Sequence, residues 1–463
     1  MKAVSLQPEK NRRGVSPEKS REYVEKLSEL LSCKTVWTRE GENEGEFQRF
    51  YALLPRLFPN LTARAERLTF GGGCFFYRIP GTNSTRNLLL MSHHDVVDGG
   101  EGWDTDPFRP KEKEGWLYGR GSIDTKTPLF AQLQACEELL AEGWSPEGFD
   151  LYIGSSHNEE VGGDGMVLAA EFFKAQGIRF SLVLDEGGAI TQGQIPGVTC
   201  KSAMVAVHEK SRHMFLCKTA TQTKGHGGFG GQGDSALARL SGFITEVSRR
   251  EKQIYKGRFY PEVKATFSGH APYMTFPLNV LFGHMGLFAP LIKKIMMGIP
   301  AAAPMLSTQI SFTTCQAGDP LLPQIRAKEA QCTMFLRCVR EEDLYAGLET
   351  IRTIGQKYGV EIQELERDYC KPTDFGGEGY RLVEQVLHKN FPDVVVAPFL
   401  LTAGTDARRL TEVADDILRF APIDLNKAQF STIHAANEHI GVENIGQCVR
   451  FYRDLVCQYS ENL

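Results

Sequence analysis

Three short, largely apolar runs each end in a cluster of imidazoles or acids. Asn87–Met91 leads into His93-His94-Asp95, Asp150–Ile153 leads through a small polar turn into Glu159-Glu160, and Ser181–Leu184 runs straight into Asp185-Glu186. Apolar runs of this length read as strands covered on both faces. Helical patterns at Thr127–Ala141 and Gly165–Ala175 alternate with them. Strand–helix alternation predicts an α/β fold with a mostly parallel, mixed sheet flanked by helices. In open sheets of that kind, function gathers beyond the carboxyl ends of the strands, so the three clusters are expected at one place.

The rest of the chain organises around that core. Ser16 is an N-cap candidate, with Pro17 in the first turn and Tyr23, Leu27, Leu30 and Leu31 as the apolar stripe. The middle has a different rhythm: strand His213–Thr219, helix Ser235–Arg249, strands Ser307–Thr314 and Gln331–Val339, helix Glu342–Tyr358 and strand Val360–Leu365. That β-α-β-β-α-β order is ferredoxin-like α+β. Lys371-Pro372 reads as a return linker, followed by a strand at Val394–Phe399 and a closing helix near Asn444–Cys457. The expected division is a catalytic domain in two parts, 1–210 and 371–463, around an inserted lid and dimerisation domain, 211–370, which carries its own insertion at 252–306. At about 150 residues per domain the length suggests three domains; two suffice if the clusters on either side of the insertion converge.

Composition excludes several classes. A formal charge of −5 and a pI near 6.2 leave no basic surplus for a nucleic-acid partner. Eleven cysteines without a CxxC pair read as small buried hydrophobes of a reducing compartment. With no apolar core in the leading MKAVSLQPEKNRRG, the expectation is a cytoplasmic chain. Ala265–Ile292 is uncharged and long enough to span a bilayer. Pro272, Pro277, Pro290, His270, Asn279 and His284 argue instead for a buried or substrate-facing insertion, with no membrane partner.

Two further motifs complete the chemistry: Gly119-Arg-Gly-Ser-Ile-Asp124-Thr-Lys, whose glycines let a tight loop bring Asp124 inward, and Ile433-His434-Ala-Ala-Asn437-Glu438. Zinc takes imidazole nitrogen and carboxylate oxygen. Two zinc ions about 3.5–4 Å apart share a carboxylate and a water. Two histidines and three acids suffice as ligands, and a sixth acid takes a proton from the water. A lone His or Asp is more often a hydrogen-bonded structural residue, and Glu-Glu pairs are common on exposed helices. Spacing alone leaves His94, His157 and His439 open as ligands; the joint occurrence at strand ends is what points to a metal site.

His93-Asp95 (HxD), Gly119–Lys126 (GRGxxDxK), Glu159-Glu160 before Val-Gly-Gly, Asp185–Gly187 (DEG), Gly404–Arg408 (GTDxR) and His434–Glu438 (HxxNE), in that order, resemble the zinc exopeptidase and aminoacylase family. That family includes aminoacylase, carnosine dipeptidase, the desuccinylase of lysine biosynthesis and yeast carboxypeptidase S. Trp103–Phe108 and the insertion around Leu287–Leu306 look most like the carboxypeptidase S branch, which also holds secreted enzymes that make and break N-acyl amino acids. The resemblance implies two Zn2+ ions, with Co2+ or Mn2+ as substitutes. By it, His93 and Asp185 hold one metal, Glu160 and His434 the other, and Asp124 bridges both. Asp95 fixes the tautomer of His93. Glu159 is the general base for the water and then the acid for the leaving amine. His226 matches a lid histidine delivered across a homodimer interface. Arg337 matches the lid arginine that meets a substrate carboxylate, which suits its planar fork. Gly404, Thr405 and Arg408 match the loop lining the pocket.

Departures from the family pattern concentrate in the lid. Gly227 and Gly228 replace serines after His226, Gln324–Ala327 replaces an Asn-Val-Ile-Pro turn, Asn158 replaces an acid, and Thr127 a glycine. The implied reaction is hydrolysis of an amide or peptide bond next to a free carboxylate, in a small peptide or an N-acyl amino acid. Gly228–Gly233 also matches GxGxxG on paper, but its preceding strand alternates and no strand-terminal acid follows at the usual spacing; a compact lid loop around His226 explains it better. The reading from a different class is a catalytically inactive metal-binding or scaffold protein of the same fold.

Overall fold

The computed structural model describes residues 12, 14–221, 235–300, 302–321 and 324–461. The first helix, Pro17–Leu31, is capped as its sequence demands: Ser16 Oγ accepts from the Lys19 amide at 3.3 Å, and Tyr23, Leu27, Leu30 and Leu31 are buried along one stripe.

Ten strands form the main sheet. Its order is Glu66–Phe70, Cys74–Ile79, Glu147–Ser156, Thr82–His93, Phe180–Asp185, Ala414–Arg419, Lys201–Glu209, Ile190–Gln192 and Asp424–Leu425, with Val394–Leu401 paired to Lys201–Glu209. Thr82–His93 runs parallel to both Glu147–Ser156 and Phe180–Asp185, so the three expected strands lie side by side and all end at one edge. Alternate side chains feed two cores. Leu88 and Leu90 pack among residues of the helices Lys126–Ala141 and Val442–Glu461, while Leu89 and Met91 pack with Phe173 of Gly165–Ala175 on the other face. This is why NLLLM is apolar throughout: neither face meets water.

A second sheet of four antiparallel strands has the order Gln309–Ala317, Glu329–Cys338, Ser211–Ala220 and Glu361–Asp368, with the helices Ala236–Ile254 and Glu341–Tyr358 packed on it. That is the ferredoxin-like order expected from the sequence. The chain leaves the main sheet between Glu209 and Ser211 and returns after Asp368.

The 252–306 segment is the insertion expected within 211–370. It folds into the helices Pro261–His270, Leu278–Gly283 and Met285–Met297. Tyr260, Val263, Phe267, Met274 and Ile292 share a core with Val198, Met204 and Leu400 of the catalytic half, while Tyr260 donates to Asp343 and Glu262 accepts from Arg340 on the lid side. Thr266 Oγ1 donates to the Pro398 carbonyl at 2.6 Å, and His270 Nε2 lies 3.0 Å from Ser202 Oγ. No helix among the described residues is long and apolar enough to cross a membrane.

Candidate active site

Asp124 is the hub. Its Oδ1 lies 3.1 Å from His93 Nε2, and its Oδ2 lies 3.0 Å from His434 Nε2. His434 Nε2 is also 3.1 Å from Glu160 Oε2. Ligand atoms of His93, Asp124 and Glu160 all fall within 4.8 Å of one another. One carboxylate thus points an oxygen at each of two imidazoles. Burial pushes the Asp124 carboxyl up, but hydrogen bonds from His434 and His93 outweigh it and hold the group below the usual carboxylate range.

Two pieces of local structure bring these residues together from distant sequence. The strand Trp116–Tyr118, just before the GRGSID loop, pairs with His439–Gly441, just after the His434 loop. Buried Glu438 then clamps the two loops. Its Oε1 accepts from the amides of Ile123 (2.6 Å) and Asp124 (3.1 Å), and its Oε2 accepts from Arg120 Nη1 (2.7 Å) and the Gly121 amide (3.1 Å). Beyond its place in a motif, nothing local marks Glu438 for this role, because its partners lie more than 300 residues away. Asp95 sits behind His93: His93 Nδ1 lies 2.9 Å from the Asp95 carbonyl and 3.4 Å from its Oδ1, while Asp95 Oδ2 accepts from the Glu160 amide at 3.0 Å.

The flanking histidines are engaged elsewhere. His94 stacks on Phe50 and lies 2.8 Å from Ser155 Oγ and 3.1 Å from the Tyr51 hydroxyl. His157 packs edge-on to Phe47, and His439 stacks on Tyr118 with Nδ1 2.7 Å from the Asn437 carbonyl.

The Asp185 carboxylate is engaged by backbone amides. Its Oδ1 accepts from the Glu186 amide (2.9 Å) and its Oδ2 from the Ala407 amide (3.0 Å), and burial pushes it up to about 6. It does not line the cavity beside Asp124; Glu186 does. Burial, then the negative charges of Asp124 and Asp185, hold Glu186 well above the ordinary carboxylate range. The sequence analysis did not assign Glu186 a role, although it stands next to Asp185 in the DEG motif.

The cavity measures about 310 Å³, at the small end for a ligand site. Asp124, Glu159, Glu160, Glu186 and His434 face it from one side, with Gly404 and Thr405 at its edge. Leu401, Ala421, Ile423, Leu425, Phe430 and Ile433 form an apolar wall, and no described residue of 252–306 lines it. Burial foremost, with the charges of Asp406 and Asp95 adding to it, raises Glu159 well above the usual glutamate range. Glu160 Oε1 is buried and has no hydrogen-bond partner. That orphaned oxygen, beside two imidazoles and a shared carboxylate, is the donor set divalent zinc takes, so the residues present fit a metal.

Arg337 reaches the site from the lid sheet. A Cβ built on Gly404 would stand 2.1 Å from Arg408 Nη1 and 3.5 Å from Arg337 Nη2. Arg408 is already paired, its Nε 2.7 Å from Asp368 Oδ2. Arg337 Nε is buried with no hydrogen-bond partner. Thr405 donates through its amide (3.0 Å) and hydroxyl (2.8 Å) to Glu209, which also accepts from Arg419. His226 and Gly228–Gly233 lie outside the described residues.

Acids and imidazoles gathered around Asp124 beyond the ends of parallel strands are the site of a metal-dependent hydrolase. The chain belongs to peptidase family M20/M25/M40, whose model matches residues 89–458. It is 28% identical over 449 residues to the N-fatty-acyl-amino acid synthase/hydrolase PM20D1 of Xenopus tropicalis, covering 94% of this chain and 85% of that protein. It is 25% identical over 450 residues to the probable carboxypeptidase S-like 2 of Dictyostelium discoideum, covering 94% and 84%. The M20 family metallo-carboxypeptidase Sso-CP2 of Sulfolobus solfataricus shares the fold, with a TM-score of 0.66 at 17% identity, covering 95% of this chain and 99% of that one.

Proposed function

We propose that the chain hydrolyses the amide bond of N-acyl amino acids with an apolar acyl group, using two divalent metals, zinc by preference. The observation that carries this reading is Asp124, aimed at His93 through one oxygen and at His434 through the other, with Glu159 in the same cavity. His93 and Glu186 would hold one metal, Glu160 and His434 the other, and Asp124 both. Glu186 takes the place that the family resemblance gives to Asp185, because its side chain faces the cavity. Metals bound there supply Lewis acidity to a carbonyl oxygen and lower the pKa of a water.

The protein's own groups do the rest. Asp95 holds His93 by its Nδ1 side, leaving Nε2 for the metal. Glu159 takes a proton from the attacking water and returns it to the departing amine nitrogen. Arg337, whose buried Nε has no hydrogen-bond partner among the described residues and whose guanidinium lies near Gly404, would pair with the substrate carboxylate. The apolar wall takes the acyl chain, a reading supported by the substrate class in the PM20D1 name. The exposed edge strand Gln309–Ala317 supports a homodimer built through the lid sheet.

Turnover of an N-acyl amino acid panel by wild type and Glu159→Ala tests the proposal. Hydrolysis by wild type, lost in the variant while metal content is unchanged, is expected. Near wild-type turnover in the variant would refute the assignment of the base.

A further inference from the structure

The helix Met285–Met297 carries two apolar rows, one buried and one exposed. Met285, Ile292 and Met296 are buried against the protein. Leu287, Leu291 and Ile295 follow at intervals of four in a second row beside it and are 76%, 51% and 49% exposed. Ile299 just beyond the helix, and Phe276 and Val280 just before it, are exposed as well. A helix on a soluble surface carries polar residues opposite its buried stripe; one that is apolar all round is covered by protein or by lipid.

Charge separates these two. Between positions 259 and 300 the only charged residues are Glu262, Lys264, Lys293 and Lys294. Glu262 is buried and paired with Arg340 at 2.9 Å. The exposed charge of the segment is therefore positive, on a chain whose net charge is −5. Exposed Lys294 lies seven residues from Leu287, two turns along the same side of the helix. An apolar ridge bordered by lysine is the pattern of a helix lying in a lipid headgroup plane.

We propose that this segment docks on an anionic phospholipid bilayer, with Leu287, Leu291 and Ile295 inserted and Lys294 at the headgroups. The protein then lies on a membrane surface, which the sequence analysis did not anticipate. The proposal is independent of the hydrolytic reading.

Co-sedimentation of the full chain with phosphatidylcholine vesicles, with and without phosphatidylglycerol, tests it. Binding to the anionic vesicles that weakens with added salt is expected. The double variant Leu287→Glu, Leu291→Glu should lower the vesicle partition coefficient at least about tenfold, and Lys294→Glu should weaken binding to anionic vesicles selectively. Thermal midpoint and hydrolysis of a water-soluble substrate should stay at wild-type values in all of them, since the altered side chains point into solvent. Wild-type protein that stays in the supernatant, or a double variant that sediments equally, would overturn the proposal. So would light scattering showing a wild-type dimer that the double variant splits, without vesicle binding: the face would then belong to a second copy.

Discussion

Glu438→Gln changes one atom at the clamp between the Asp124 and His434 loops. Each carboxylate oxygen accepts two donors, and one of the four is the Arg120 guanidinium. Whichever way the new amide turns, its NH2 faces two N–H groups, so two hydrogen bonds are lost and a donor–donor contact replaces them. Both Glu438 and Arg120 are almost fully buried, so the uncompensated Arg120 charge finds no water. Breaking a buried pair of this kind costs about 3–5 kcal/mol. With the amide oxygen kept toward the Arg120 guanidinium, the NH2 faces the Ile123 and Asp124 amides, which loosens the shared carboxylate; losing such a support lowers metal affinity about 10–100-fold. Urea unfolding followed by circular dichroism gives the first number, and zinc competition against a chelator gives the second. A variant within about 0.5 kcal/mol of wild type, the range of an ordinary surface change, with unaltered zinc affinity, would refute the reasoning.

Arg337→Ala should lower kcat/KM about ten- to a hundredfold, the value of one hydrogen bond to a charged group, and the loss should vanish for a substrate whose carboxylate is converted to carboxamide. Phe430→Ala should reduce kcat/KM for long acyl chains more than for acetyl, by about tenfold if a phenyl-sized contact is lost, as read from a chain-length series. Buried Lys210 donates to the carbonyls of Pro304 (3.0 Å) and Ser307 (2.9 Å) and to the Gln309 side chain, and burial pulls it down to about 7. Its unfolded-state pKa is near 10.5, so between about 7 and 10.5 the unfolded chain binds more protons, and this group makes stability rise with pH in that window. Denaturation midpoints of Lys210→Met should show a flatter pH dependence there than wild type.

Much of the site was legible because strands in this sheet are buried on both faces and announce themselves as apolar runs, and because chemistry collects where they end. His93, Asp124, Glu160 and His434 come together as that logic requires. The DEG acids were harder. Successive residues at a strand end face opposite ways, and which of Asp185 and Glu186 meets the cavity depends on the amide of Ala407, some 220 residues on. Glu438 escaped for the same reason, since its partners are set by tertiary pairing of two short strands. The 252–306 segment was legible as apolar, but a helix without a polar face carries no mark of which side packs or against what; it packs on the catalytic sheet and is tied to the lid through Arg340 and Asp343.

Metal stoichiometry tests the central claim most directly. Elemental analysis of the zinc-loaded protein should find two ions per chain in wild type, and one in His434→Ala, in which Asp124, His93 and Glu186 still hold theirs. No stoichiometric metal in wild type, or a single ion that His434→Ala leaves untouched, would contradict a dinuclear site built on Asp124.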